Sequence, residues 1–161
     1  MNAARRDGVV IHQRAGSGWD PGLDPELEGH LRRHRNAIIA TTSSSGAPQA
    51  TPVWYLWDGE AFAASVPGWT VKVANLRRDA RVAICIDDEV AGCYATLTGR
   101  AELIASSAED REPVRAATWP LLRKYLPEGE AAVRWERIDA DGDRVVIHLV
   151  PERILWRAGV R

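Results

Sequence analysis

A chain of 161 residues is long enough for one domain with a sizeable core, and too short for the two-domain plan of larger dehydrogenases. Its 45% hydrophobic and 27% charged residues argue against disorder, and a net charge of −1 excludes general polyanion binding, nucleic acid included. Two cysteines, Cys85 and Cys93, form neither a CxxC pair nor a disulfide framework, and read as buried thiols in a reducing, cytoplasmic compartment.

Residues 1–23 read as a flexible lead-in, with a Gly- and Ser-containing stretch at Ala15–Gly22, and residues 24–161 as a single domain. Val9-Val10-Ile11 falls short of the about 7–15 apolar residues of a secretory signal, and no stretch reaches the ~18 of a membrane span. Asp24-Pro25-Glu26 opens a helix, with Asp24 as cap and Leu27 and Leu31 sharing a face through to about Arg35. Ala37–Thr42 is a strand and Ser43–Gly46 a turn. Gln49–Trp57 is extended, Asp58-Gly59 signals a hairpin, and Ala61–Val66 returns. A short helix follows Pro67-Gly68 at about Val71–Arg78, and Arg81–Asp87 and Tyr94–Ile104 are strands. Ser107-Ala108-Glu109-Asp110 resembles a capping box that starts a helical region reaching about Leu126, broken into pieces by Pro113 and Pro120. Arg134–Ile138 and Val145–Val150 read as a hairpin around Asp141-Gly142, and Ile154–Arg157 as a last extended segment. Six or seven strands joined by tight turns predict a mainly β, antiparallel barrel with peripheral helices, not a parallel α/β sheet.

Several chemical motifs fail. Gly16-Ser17-Gly18-Trp19-Asp20-Pro21 lacks the last glycine of a dinucleotide fingerprint and no strand precedes it; Walker A and GxSxG patterns are absent. His30 and His34 are spaced as half a metal site, but without a third ligand nearby they read as a solvated helix face, so no metal is expected. His148, in an apolar strand, reads as a core residue, and no general acid or other catalytic residue is assigned.

Two segments ask for an explanation. Thr70 is placed to cap a helix that carries Lys72 in its first turn, where a cation opposes the helix dipole by about 0.3–1 kcal/mol. An anion at that N-terminus reverses the sign, with Ser65 and Thr70 as hydroxyl donors. A solvated lysine on an amphipathic helix is an equal reading of this segment. In Gln49–Trp57 one face carries Gln49, Thr51, Val53, Tyr55 and Trp57, the other Ala50, Pro52, Trp54 and Leu56. A barrel interior covers one such face; a flat ligand, a helix or a second subunit must cover the other. Pro52 lacks a ladder donor and belongs at a sheet edge or irregularity.

Together these residues resemble the pyridoxamine 5′-phosphate oxidase-like flavin-binding split barrels, particularly the small branch with deazaflavin-dependent reductases. The resemblance rests on Gly46-x-Pro48-Gln49-x-Thr51-Pro52-Val53-Trp54 with Trp57-Asp58-Gly59, and on Lys72-x-x-Asn75-Leu76-Arg77-Arg78-Asp79-x-Arg81-Val82. Gly99-Arg100-Ala101 and Pro151-x-x-Ile154-Leu155-Trp156 complete an ordered set covering about Leu27 to Arg157. It implies a six-stranded antiparallel split barrel working as a homodimer, with FMN or the deazaflavin coenzyme F-420 at the subunit interface. By position, Lys72 would contact the cofactor phosphate with Ser65 and Thr70 as partners. Thr51, Pro52, Val53 and Trp54 would lie along the ring, and Trp156 would approach the cofactor of the other subunit.

The departures narrow what the resemblance implies. Val71 stands where an arginine often precedes the family lysine, Gln49 or Ala50 near the second-strand arginine of the true oxidases, and no arginine-rich substrate tail follows Trp156. The implied activity is therefore hydride transfer between a flavin or deazaflavin and a small organic substrate, and not pyridoxine-phosphate oxidation. A non-catalytic carrier of flavin, haem or another flat ligand on the same barrel is the alternative.

Overall fold

In the computed structural model, which describes residues 8–16, 18–20, 22–33, 36–105 and 110–159, the extended segments pair into two antiparallel sheets. In chain order the elements are β1 (Val9–Ala15), β2 (Gly18–Asp20), α1 (Pro25–Arg32), β3 (Ala37–Thr42), β4 (Pro48–Val53), β5 (Leu56–Trp57), β6 (Phe62–Pro67) and α2 (Val71–Arg78). There follow β7 (Arg81–Asp88), β8 (Cys93–Arg100), β9 (Glu102–Ala105), α3 (Glu112–Tyr125), α4 (Glu128–Asp141), β10 (Arg144–Leu149) and β11 (Arg153–Arg157). One sheet runs β2-β1-β11-β8-β7-β3-β4 and the other β5-β6-β10-β9. The chain crosses between them four times, at the short breaks Trp54-Tyr55, Ala101 and 150–152 and through α2, which gives a split and not a closed barrel. The mainly β architecture with peripheral helices is the expected one. The strand segments exceed six because both long predicted strands divide at these crossings and an N-terminal pair is added.

The inward faces follow the two-residue period of the sequence. Ala37, Ile39 and Thr41 of β3 are buried, as are Val82, Ile84 and Ile86 of β7 and Cys93, Ala95 and Leu97 of β8. They meet Phe62, Ala64, Val145, Ile147, Ile154 and Trp156, with Leu27 and Leu31 of α1 in the same core. A smaller apolar cluster, Leu122, Ala131 and Ile138 with Trp54, Trp119, Leu126 and Trp135, joins α3 to α4. Asp24 caps α1, accepting the Glu26 N–H at 2.7 Å. Asp58 shapes the β5–β6 turn by accepting the N–H groups of Glu60 and Ala61 at 2.8 and 2.7 Å. Pro52 lies on β4, an edge strand, where its missing donor costs nothing. No helix among the described residues is long and apolar enough to cross a membrane.

Four expectations change. The segment read as a flexible lead-in carries β1, which pairs with β11 from Val9↔Arg157 to Gln13↔Arg153, and β2, which pairs with β1. Arg134–Ile138 is not a strand but part of α4. Ala131, Trp135 and Ile138 share one helical face, and Gly142, at φ 68°, ends the helix in the left-handed conformation instead of turning a hairpin. The region 112–125 is one helix: Pro113 sits in its first turn, where no donor is missed, and Pro120 lies inside it without a break. The actual division falls at Leu126-Pro127, between α3 and α4. His148 is not a core residue: it is partly exposed, with Nδ1 4.0 Å from Glu102 Oε2. Residues 107–109 of the expected capping box, and His34 and Arg35, lie outside the described residues.

Candidate functional site

The helix α2 starts as its sequence implies. Thr70 holds the N-cap position with extended backbone, no acidic residue occupies the first turn, and the Thr70 hydroxyl donates to the Pro67 carbonyl at 2.9 Å instead of capping. The helix N-terminus therefore keeps its partial positive charge, and Lys72 adds a whole one. Lys72 makes no hydrogen bond or ion pair with the described residues, and burial lowers its pKa. The far end of α2 is locked to the sheet: Asn75 donates to the Thr41 hydroxyl at 3.0 Å, and Thr41 donates to Gln49 at 3.1 Å. Arg81 grips Asp79 through Nε at 3.0 Å and a terminal nitrogen at 2.7 Å, holding the Asp79 carboxyl down at about 2. These contacts give most of the Lys72-to-Val82 motif a structural role.

Beside Lys72 lies a cavity of about 240 Å³, walled by Pro52, Val53 and Trp54 from the end of β4, Ser65, Val66 and Pro67 from β6, and Leu121 and Leu122 from α3. Arg134 from α4 and Arg144 from the start of β10 complete it, so among the described residues three cations and no carboxylate line the wall. Arg144 is held in place: its Nε donates to Ser65 Oγ at 2.9 Å and a terminal nitrogen to the Ser65 carbonyl at 2.7 Å. Ser65 Oγ also lies 2.8 Å from Thr118 Oγ1. Burial first, and then the Arg134 charge, pull the Arg144 pKa down to about 10 against the opposing pull of Asp141. It stays charged at neutral pH in a setting that an anion would relieve. A second cavity of about 440 Å³ shares Trp54 and Arg134 with the first and runs along α4 past Leu126, Val133 and Arg137, with Glu130 as its one carboxylate.

Helix α3 clamps the strand break next to this site. The Tyr125 hydroxyl accepts from the Tyr55 N–H at 3.2 Å and donates to the Tyr55 carbonyl at 3.1 Å, replacing the ladder partners that the chain loses as it changes sheets. The Tyr125 ring stacks on Trp54 with centroids 4.7 Å apart and planes 3° from parallel. Lys124 donates to the same Tyr55 carbonyl at 3.2 Å and lies 4.1 Å from the Tyr55 ring centroid, where burial lowers its pKa to about 8. The outward face of Gln49–Trp57 is thus covered by a helix at Trp54, while Ala50 and Pro52 stay exposed.

The structure brings five of the sequence-predicted residues, Pro52, Val53, Trp54, Ser65 and Lys72, to one cavity. Thr51 and Thr70 are not on its wall; the buried Thr51 Oγ1 has no hydrogen-bond partner among the described residues, and the Thr70 hydroxyl is used within its own turn. Trp156 does not join them. It is a core side chain, 1% exposed, against His30 with ring centroids 4.9 Å apart, and it lines another cavity. Arg134 and Arg144 escaped sequence reasoning because they follow Lys72 by more than sixty residues. His30 also departs from expectation: it is buried and not solvated, with Nε2 2.8 Å from the Ile86 carbonyl.

Comparison with known proteins places this geometry. The profile of the family described as pyridoxamine 5′-phosphate oxidase matches residues 23–156. No curated protein matches the chain. Among solved structures, an F420 reductase is 24% identical with a TM-score of 0.60, covering 79% of this chain and 94% of that one. A conserved hypothetical protein from Mycobacterium tuberculosis is 21% identical with a TM-score of 0.66, covering 96% and 89%. A FAD-binding protein from Mesorhizobium loti is 18% identical with a TM-score of 0.63, covering 94% and 99%.

Proposed function

This chain belongs to the pyridoxamine 5′-phosphate oxidase family, and from that premise we propose that it is a flavin- or deazaflavin-dependent oxidoreductase acting on a small organic substrate, and not a pyridoxine-phosphate oxidase. The observation that carries the reading is the cavity wall: Lys72, Arg134 and Arg144 without a carboxylate, beside the apolar strip Pro52-Val53-Trp54. Lys72 and the free N–H groups of α2 would hold a phosphate, with Arg144 braced by Ser65 as a second contact. Pro52, Val53 and Trp54 would flank the ring system. When bound, the cofactor supplies the hydride chemistry; the protein orients it, neutralises its phosphate and keeps water off the ring.

Arg134 and Arg137 on the adjoining cavity lie where a tail longer and more acidic than one phosphate would run, which favours the deazaflavin F-420 over FMN. The working form is a cytoplasmic homodimer with cofactor at the interface. The side chains around Lys72 support this, since Trp69 and Val71 are 79% and 57% exposed in the single chain.

The test is titration of the purified protein with FMN and with F-420, followed by absorbance. Saturable binding of either, weakened about 10-fold or more by Lys72→Ala, is expected from the loss of one charge-assisted contact of ~1.5–3 kcal/mol. Affinity for neither cofactor would refute the reading, and unchanged affinity in Lys72→Ala would remove the lysine from it. Turnover of the reduced cofactor with an electron acceptor separates the enzyme from a carrier.

A further inference from the structure

Away from the cationic cavity, three side chains with different donor atoms converge beneath α1. His30, Asp88 at the end of β7 and Cys93 at the start of β8 are all buried, and one ligand atom from each lies within 4.8 Å of the others. His30 Nε2 sits 2.8 Å from the Ile86 carbonyl, which takes the ring proton and turns the Nδ1 lone pair towards the Cys93 sulfur. This is the arrangement by which metal-binding histidines are oriented, the distal nitrogen donating to a backbone carbonyl. Nδ1 and Cys93 Sγ are 3.6 Å apart. Zinc bonds of about 2.0 Å to nitrogen and about 2.3 Å to sulfur at a tetrahedral angle give a spacing of roughly 3.5 Å, close to that separation.

Asp88 is oriented from two sides, accepting from the Ala91 N–H at 3.1 Å and from Arg33 at 3.1 Å. Of the three, His30 and Cys93 open onto a cavity of about 190 Å³, whose wall also carries Glu26 and Arg33. Glu26 precedes His30 by one helical turn and places a further carboxylate on that wall, where a fourth coordination position would open.

We propose that His30 Nδ1, Cys93 Sγ and an Asp88 oxygen form a binding site for a thiophilic divalent cation such as Zn²⁺, with its fourth position facing this cavity. Nitrogen, sulfur and a single carboxylate select zinc over magnesium or calcium, which take all-oxygen shells. Binding replaces the Cys93 thiol proton, which leaves to solvent as the zinc–sulfur bond forms. The site is independent of the flavin reading, because its three ligands are absent from the cationic cavity.

The experiment titrates the purified full-length chain with Zn²⁺ alone, and with Co²⁺ for its spectrum. One ion per chain is expected, with thiolate-to-cobalt charge-transfer absorption and a proton released per ion. Cys93→Ser and His30→Gln should weaken binding at least 10-fold, while Cys85→Ser leaves it unchanged. Lack of saturable binding, or binding that survives Cys93→Ser, overturns the site. The wild-type chain gives a reading that needs no variant: Zn²⁺ should shield Cys93, and not Cys85, from a thiol-reactive reagent. Equal reactivity of Cys93 with and without the metal also overturns it.

Discussion

Two of this domain's cavities are chemical opposites. One is walled by Lys72, Arg134 and Arg144 with no carboxylate; the other gathers the imidazole of His30, the thiol of Cys93 and the carboxylates of Asp88 and Glu26. Each concentrates one kind of partner atom, yet the chain as a whole carries a net charge of −1. They also differ in construction. The cationic cavity lies at the seam between the sheets and borrows part of its wall from α3 and α4, whereas the other is set into the core between α1 and the β7–β8 turn. Whole-chain charge is thus a poor guide to local fields, and a site at a seam draws on helices that the sheets alone do not supply.

Perturbations that act on one cavity and spare the other sharpen this contrast. The largest effect is expected for Trp156→Ala. Removing a side chain 1% exposed and packed on His30 should cost about 3–5 kcal/mol in urea denaturation, and remove zinc binding before cofactor binding. Next is Arg144→Ala, which strips a desolvated cation and both of its Ser65 contacts. Cofactor affinity should fall about 10–100-fold by titration, with zinc stoichiometry unchanged; equal loss at both sites would break the distinction. Tyr125→Phe leaves the Tyr55 N–H without its partner and should cost about 1–3 kcal/mol of stability by denaturant midpoint, loosening the cationic cavity alone.

The smallest effect is a pH dependence. Burial holds Lys124 at about 8 in the folded chain against 10.5 when exposed, so between these values the unfolded chain binds the extra proton. This group's contribution to stability therefore rises with pH across that window. Cys85 and Tyr125, whose pKa values burial raises, act in the opposite sense. The difference between wild type and Lys124→Met isolates the lysine: the destabilisation that it removes should be largest below pH 8 and fade towards 10.5. A constant difference would place Lys124 in a solvated setting.

The sheet was readable where local signals agreed. Period-two burial in β3, β7 and β8, the Asp58 turn and the edge position of Pro52 all follow from chemistry within a few residues. So did one wall of the cationic cavity, because Lys72 and the Pro52–Trp54 strip lie in short motifs. What failed was ambiguous locally or remote in sequence. Asp141-Gly142 suits both a hairpin turn and a helix end, and only the packing of Ala131 and Ile138 on Leu122 decides for the helix. Arg134 and Arg144 reach Lys72 through tertiary folding, and Cys93 meets His30 across 63 positions of sequence. No pattern within a window reports such meetings.

One topological detail bears on how this site can change. The chain leaves the second sheet at Ala105 and rejoins it at Arg144, whose neighbour Val145 is Ala105's direct partner across the β9–β10 ladder. The two ends of the helical excursion are therefore already side by side, and closing them with a short turn would cost the barrel little chain entropy. Such a graft would take away Leu121, Leu122 and Arg134 from one cavity and leave the His30–Cys93 cluster whole. The helical pair is thus an insertion at one hairpin position, and the Tyr125 and Lys124 contacts to the Tyr55 backbone are what such a graft would have to replace.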